Sequence, residues 1–233
     1  MQYLDKNSLS QTIDNVSEAI FFNLEIDKKE KVQIADFIIN QQSKPEAYAD
    51  TFAPTENDLK QDLLLFTGEK IRSRVGKRHM IGEEASRILR KLDLDNDKVN
   101  KALKRADTGL QEKIDLCLSD SRYVYGTYCC KTCSCGMWMN MSSGGTVMDI
   151  NFLKAGMDYL KTHRDGKGRW KGFPFYYTLY VLNEADKKIA MDELQYAAEH
   201  IAKRRVKQKG QENKYELRRQ YICERILDKV KVQ

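Results

Sequence analysis

Residues 123–138 read YVYGTYCCKTCSCGMW, and residues 163–183 read HRDGKGRWKGFPFYYTLYVLN. Together these two segments contain both tryptophans of the chain and four of its six cysteines. The sequence on either side is charged and amphipathic, with apolar residues at the spacing of helix faces. We therefore expect the candidate functional residues to concentrate between residues 123 and 183.

The two segments align with each other at an offset of 46 residues, which places Gly126 on Gly172 and Thr132 on Thr178. After each copy, apolar residues follow the spacing i, i+3, i+7 and i+10, which is one face of a helix. They are Ile150, Leu153, Met157 and Leu160 after the first copy and Met191, Leu194, Ala198 and Ile201 after the second. Repeats of this length are typical of helical-hairpin arrays. The pattern predicts an all-α protein of helical-hairpin repeats, arranged as an α/α-toroid-like ring or a short solenoid.

The composition favours the same class. Three prolines, thirteen glycines and 32% charged residues are typical of a helical protein rather than one rich in β-turns. We predict eight to ten helices and no strand, with Asp27 and Thr55 capping two helices and another helix covering residues 69–91. The polar stretch 41–54 predicts a linker or a long loop. As a linker, it divides the chain into an N-terminal helical hairpin (1–44) and a helical-repeat domain (55–233).

The second segment carries a family resemblance. Residues 165–170 (DGKGRW), followed by residues 172–179 (GFPFYYTL), resemble the repeat of squalene cyclases and protein prenyltransferases, loosely and over about residues 120–205. The resemblance implies a toroid of hairpins around an apolar cavity, and some members of that family bind zinc. It implies an isoprenoid-like or other apolar small molecule as ligand, while the residues themselves specify no reaction.

Aromatic residues are the candidates for lining such a cleft. The expected ligand-binding set is Tyr125, Tyr128, Trp138, Trp170, Phe173, Phe175, Tyr176 and Tyr177. The alternative is that these side chains form an aromatic core between hairpins. His163 and Asp165 are the candidates for catalysis, because a histidine near a carboxylate can act as a general base. A capping role at a helix end is the alternative for this pair.

The cysteines are candidate metal ligands. Cys129, Cys130, Cys133 and Cys135 fall within seven residues, and thiolates this close can hold zinc or an iron–sulfur cluster. On a continuous helix Cys135 points away from the other three, which leaves a Cys-x-x-Cys pair completed by a distant ligand such as His163 or Cys223 as one arrangement. The possible cofactor is therefore zinc. Buried packing residues and reactive thiols are the alternatives.

The charge distribution leaves a further hypothesis open. Residues 1–60 hold six Lys or Arg against eleven Asp or Glu, although the whole chain has a net charge of +6. A basic stripe could therefore bind nucleic acid or an acidic partner, and a solvated charged face is the alternative. The stripe would comprise Arg72, Arg74, Arg78, His79, Lys203, Arg204 and Arg205.

No apolar run approaches the ~18 residues that a membrane span needs. The N-terminal sequence also lacks the basic and apolar regions of a signal peptide. We therefore expect a cytoplasmic protein whose cysteines are reduced thiols or metal ligands. The sequence does not specify an oligomeric state.

Overall fold

The computed structural model describes residues 2–121, 123–205 and 213–231, and these residues form an all-α fold. The predicted fold class is confirmed. Within the described residues there are ten helices and one short β-hairpin: α1 Leu9–Phe21, α2 Lys28–Ile39, α3 Glu56–Lys60, β1 Leu63–Leu64, β2 Lys70–Ile71, α4 Arg74–Lys91, α5 Asp97–Leu118, α6 Lys131–Ser142, α7 Ile150–Lys161, α8 Phe175–Glu184, α9 Lys187–Arg205 and α10 Lys214–Lys231. None of the described helices is both long enough and apolar enough to cross a membrane.

Side-chain caps define where several helices begin. The carboxylate of Asp27 accepts a hydrogen bond from the Glu30 backbone N–H at 2.9 Å, which confirms the predicted cap of α2. Thr55 and Asp58 form a reciprocal capping box at α3, so the predicted cap of that helix is also confirmed. These local bonds satisfy amide groups that the first turn of a helix leaves without a partner.

The prediction of a helix from residue 69 was wrong at its start, and so was the prediction that the chain has no strand. Leu63 pairs with Ile71 in an antiparallel two-stranded hairpin, and α4 begins only after Ser73. Gly68 has φ of 84°, a left-handed conformation that glycine adopts without strain and that lets the chain reverse. Ile71 and Val75 have helical spacing, which is why the pattern concealed the strand.

The region of the sequence repeat forms two neighbouring pairs of helices. Helix α6 packs against α7, and α8 packs against α9, while α6 also contacts α8 and α7 also contacts α9. The Sγ of Cys135 on α6 lies 3.6 Å from the Oγ1 of Thr178 on α8. On its other side α6 makes an extensive contact with α4. The closure of the pairs into a toroid or solenoid stays a prediction.

One hydrophobic cluster includes side chains from both predicted domains. Leu9 and Ile38 from the N-terminal part share this cluster with Ile88 and Leu182, and α1 packs directly on α4. The polar stretch 41–54 is irregular, yet Phe52 within it is completely buried. The division into 1–44 and 55–233 stays a prediction, although the two parts contribute to a common core.

A buried arginine ties the C-terminal helix to this core. Arg218 on α10 is fully buried and donates hydrogen bonds to Asp14 at 2.6 and 3.0 Å and to Glu18 at 2.5 Å, both on α1. The same guanidinium donates to the Phe66 carbonyl at 3.1 Å. The group therefore joins α10, α1 and the β-hairpin through charge-assisted hydrogen bonds, which are stronger than neutral ones.

We predict that Arg218→Met lowers the free energy of unfolding by ~3–5 kcal/mol, because two carboxylates then lose their buried partner. Urea unfolding followed by far-UV circular dichroism measures the change. Lys214→Met is the matched control, because Lys214 contacts the same Asp14 at 2.9 Å but its side chain is 43% exposed. Exposed ion pairs contribute only ~0–1 kcal/mol. Equal effects of the two substitutions would contradict the prediction.

Candidate metal centre

Three metal-ligating side chains meet where α4 faces the N-terminal end of α6. They are His79 on α4, Cys129 in the loop before α6 and Cys133 in the first turn of α6. One ring nitrogen of His79 and the two Sγ atoms all lie within 4.8 Å of one another. Two thiolates on one tetrahedral zinc lie about 3.8 Å apart, so this trio needs only small movements to share an ion.

The backbone before α6 sets the position of Cys129. This residue has φ of 51°, in the left-handed region that non-glycine residues rarely occupy. Such strained residues persist where the surrounding structure holds them, and they are common at functional sites. The Trp138 indole N–H donates to the Gly126 carbonyl at 2.8 Å, and this bond fixes the loop against α6.

Cys130 lies beside the trio rather than within it. It is the N-cap residue of α6, and its Sγ accepts a hydrogen bond from the Cys133 backbone N–H at 3.5 Å. Hydrogen bonds with the Cys129 and Cys133 thiols lower the pKa of Cys130, and hydrogen bonds with Cys129 and Cys130 raise the pKa of Cys133. The three thiols therefore lie close enough to change one another's pKa. A bound divalent cation would displace the protons of the thiols that ligate it.

His79 is held between two tyrosine rings. Its ring centroid lies 4.0 Å from that of Tyr48 and 5.2 Å from that of Tyr128. Burial lowers the pKa of His79 to about 4, so the imidazole is neutral at pH 7, the form that binds metals. Neither of its nitrogens has a hydrogen-bond partner among the described residues. Buried polar groups nearly always have a partner, so the two unpaired nitrogens make this imidazole a candidate metal ligand.

A carboxylate is buried one helical turn after the histidine. Glu83 is 1% exposed, and neither of its oxygens has a hydrogen-bond partner among the described residues. Burial raises the pKa of this carboxyl group well above its ordinary value. Among smaller effects, the charge of Glu83 helps to raise the pKa of Cys133 and of Tyr128, so this carboxyl group lies near both residues, outside the trio. The Tyr128 hydroxyl is also buried, and burial and a contact with the Tyr48 hydroxyl raise its pKa.

A glycine on α6 makes room for this carboxylate. A Cβ atom on Gly136 would lie 2.2 Å from the Glu83 Oε2 and 2.9 Å from the Met80 side chain. Real Cβ atoms do not approach other atoms so closely, and both neighbours are buried. Close approach of α4 and α6 at this point therefore requires glycine, and it brings His79 and Glu83 to the cysteines.

The sequence-predicted ligands are only partly brought together. Cys135 is completely buried on the face of α6 that contacts Thr178, away from the trio. The expected distant ligand was His163 or Cys223, whereas the structure places His79 beside the thiols. Sequence reasoning assigned His79 to the basic stripe and missed Glu83. Their spacing of four residues, which puts both on one face of α4, was the available signal.

The predicted ligand-binding aromatics are mostly packed into the core. Trp138 and Tyr177 are fully buried, and Trp170 donates its indole N–H to the Glu193 carboxylate at 2.7 Å. Tyr128, Phe173 and Phe175 are also buried, Tyr176 is half-buried, and Tyr125 is exposed. The pocket beside Phe175 and Tyr176 has a volume of ≈ 20 Å³, the space of about one water molecule. Their role in binding a ligand stays a prediction.

The predicted catalytic pair occupies separate local structures. The Nδ1 atom of His163 lies 2.9 Å from the Tyr159 carbonyl oxygen, and its ring packs against Phe173. Asp165 accepts hydrogen bonds from the Lys167 backbone N–H at 2.8 Å and from the Arg169 backbone N–H at 3.0 Å. His163 therefore belongs to the C-terminal end of α7, while Asp165 orders the glycine-containing turn before α8.

Several members of the predicted basic stripe have acidic or carbonyl partners. Arg74 pairs with Glu46 at 2.7 Å, Arg78 donates to the Glu46 carbonyl at 2.8 Å, and Lys203 pairs with Glu199 at 2.5 Å. Arg72 is exposed, and Arg204 donates to the Tyr176 hydroxyl at 3.2 Å. The side chain of Arg205, and the basic segment from residue 206 onward, lie outside the described residues.

Comparisons with protein-family models, with curated proteins and with solved structures found no match for this chain. The geometry of the α4–α6 centre is therefore the basis for assigning a function.

We predict that Gly136→Ala destabilises the protein by ~1–3 kcal/mol, the usual cost of overpacking a core, because the new methyl group overlaps Glu83 and Met80. Chemical denaturation measures the loss. Ser142→Ala on the same helix is the control, since that half-buried side chain only donates to the Trp138 carbonyl at 2.7 Å. If Gly136→Ala unfolds at the same denaturant concentration as wild type, the proposed close contact is incorrect.

Proposed function

We propose that this protein binds a zinc ion through His79, Cys129 and Cys133. The observation that carries the proposal is the convergence of one imidazole nitrogen and two Sγ atoms within 4.8 Å. The buried imidazole has no other partner among the described residues, which supports an ion as its missing partner. The cysteine-based metal site expected from the sequence is thus retained, with His79 as the distant ligand.

Zinc is favoured by the chemistry of the donors. Thiolate sulfur and imidazole nitrogen are its preferred ligands in proteins, whereas magnesium and calcium take oxygen. Two thiolates and one neutral imidazole also balance the charge of a divalent cation. That balance matters at this site, because His79 is 5% exposed and Cys133 is 1% exposed. An uncompensated charge in such surroundings costs several kcal/mol.

Zinc binding would join separate parts of the fold. His79 belongs to α4, Cys133 to α6, and Cys129 to the loop that precedes α6. An ion that binds only the folded arrangement of these ligands stabilises it by mass action. The metal would therefore stabilise the contact between α4 and α6, in addition to any chemistry that it carries out at the centre.

The isoprenoid cleft and the nucleic-acid stripe from the sequence stay predictions. The small pocket at Tyr176 and the ion pairs of Arg74 and Lys203 do not favour either one over metal binding.

We predict that protein purified without chelators contains about one zinc per chain, and that Cys133→Ala reduces this to less than ~0.1, because a ligand is lost. Elemental analysis measures the content. The cobalt(II) form should show thiolate-to-metal charge-transfer absorption, which the variant should lack.

Cys135→Ala is the matched control, because Cys135 lies on the same helix and is equally buried but contacts Thr178 instead of the trio. It should keep its zinc. His79→Ala should lose zinc as Cys133→Ala does. The assignment is refuted if the wild-type protein takes up no zinc. It is also refuted if Cys135→Ala loses its zinc while Cys133→Ala and His79→Ala keep theirs.

A further inference from the structure

The zinc centre has three protein ligands and a set of unused polar groups around it. Catalytic zinc sites have three protein ligands and a water molecule, whereas structural sites are closed by a fourth side chain. Cys130 is the nearest candidate for closure, and its thiol contacts those of Cys129 and Cys133, but it does not lie within 4.8 Å of all three donor atoms and it caps α6. The fourth position is therefore available to water.

Glu83 is the group placed to hold that water. Its carboxylate is buried at the α4–α6 contact with no hydrogen-bond partner for either oxygen among the described residues. The missing Cβ of Gly136 leaves it the space to stay there. A carboxylate so far from solvent requires a donor. A zinc-bound water has two O–H groups and supplies one.

The Tyr128 hydroxyl is a second polar group beside the centre. It is buried, it contacts the Tyr48 hydroxyl, and its ring packs on His79. Its O–H can donate to an oxygen that develops negative charge beside the metal. The other side of the centre meets solvent, because Cys129 and Cys130 are exposed.

We propose, on the basis of the zinc site above, that the centre activates water for hydrolysis of small ester or amide substrates, with Glu83 as the proton acceptor. A bound zinc ion would lower the pKa of a water molecule toward neutrality and would also favour the ionised form of Glu83, which burial alone disfavours, so that Glu83 can accept the proton. The hydroxide oxygen then forms a bond to the carbonyl carbon, whose π electrons move to oxygen. As the carbonyl re-forms, the bond to the leaving group breaks, and the leaving group takes the proton from Glu83. One water and one ester or amide give one carboxylic acid and one alcohol or amine.

We predict that zinc-loaded full-length protein hydrolyses 4-nitrophenyl acetate faster than the metal-free protein does. Glu83→Gln should lower the zinc-dependent kcat by about 100-fold or more, the usual contribution of a general base, with little change in KM. Its zinc content should stay at about one per chain, because Glu83 is not a ligand. Azide, as a probe of the open position, should shift the visible spectrum of the cobalt form.

Cys130→Ser separates the open centre from a closed one. An open centre keeps its zinc and its hydrolytic rate in this variant, and serine still caps α6. Three results would each overturn the hydrolytic proposal while zinc binding stands. They are loss of zinc from Cys130→Ser, a cobalt spectrum that azide leaves unchanged, and equal zinc-dependent rates for Glu83→Gln and wild type. Absence of zinc from the wild-type protein would instead refute the site itself.

Discussion

The close approach of α4 to α6 is the constraint on which the centre depends. Gly136 permits it, because any side chain there would overlap Glu83 and Met80. The contact carries His79 to the first turn of α6, where Cys133 lies, and the strained backbone at Cys129 brings in the second sulfur. If the two helices were separated by the width of one methyl group, the three donor atoms could no longer share an ion.

The buried ionisable groups of the core differ in whether they have hydrogen-bond partners. Arg87 is buried and pairs with Glu84 at 2.6 Å, and Arg218 is buried and pairs with Asp14 and Glu18. By contrast, His79 and Glu83 have no hydrogen-bond partners among the described residues. Because unpartnered buried groups cost stability, their position beside two thiols is the observation that supports the proposed metal site.

The two copies of the sequence repeat have similar backbone structure but different side chains at the start of the helix. Gly126 and Gly172, equivalent in the alignment, both have left-handed φ angles, of 89° and 78°, shortly before α6 and α8. Each of these helices packs with the next, and α6 contacts α8. In the first copy, however, cysteines surround the helix start, while the second copy has Phe175 and Tyr176 in the corresponding turn. The same backbone arrangement thus holds a candidate metal centre in one copy and packed aromatic side chains in the other.

The sequence alone predicted the all-α class, the helix caps at Asp27 and Thr55, and Cys129 and Cys133 as candidate ligands. Each of these features depends on residues only a few positions apart. The β-hairpin at Gly68 was hidden, since Ile71 happens to continue the helical spacing of α4. The selection of His79 over His163, and the burial of Glu83, were decided only by tertiary structure. They depend on which helix packs against α6. The contact between α4 and α6 joins residues about 50 positions apart, and local sequence patterns do not predict such a contact.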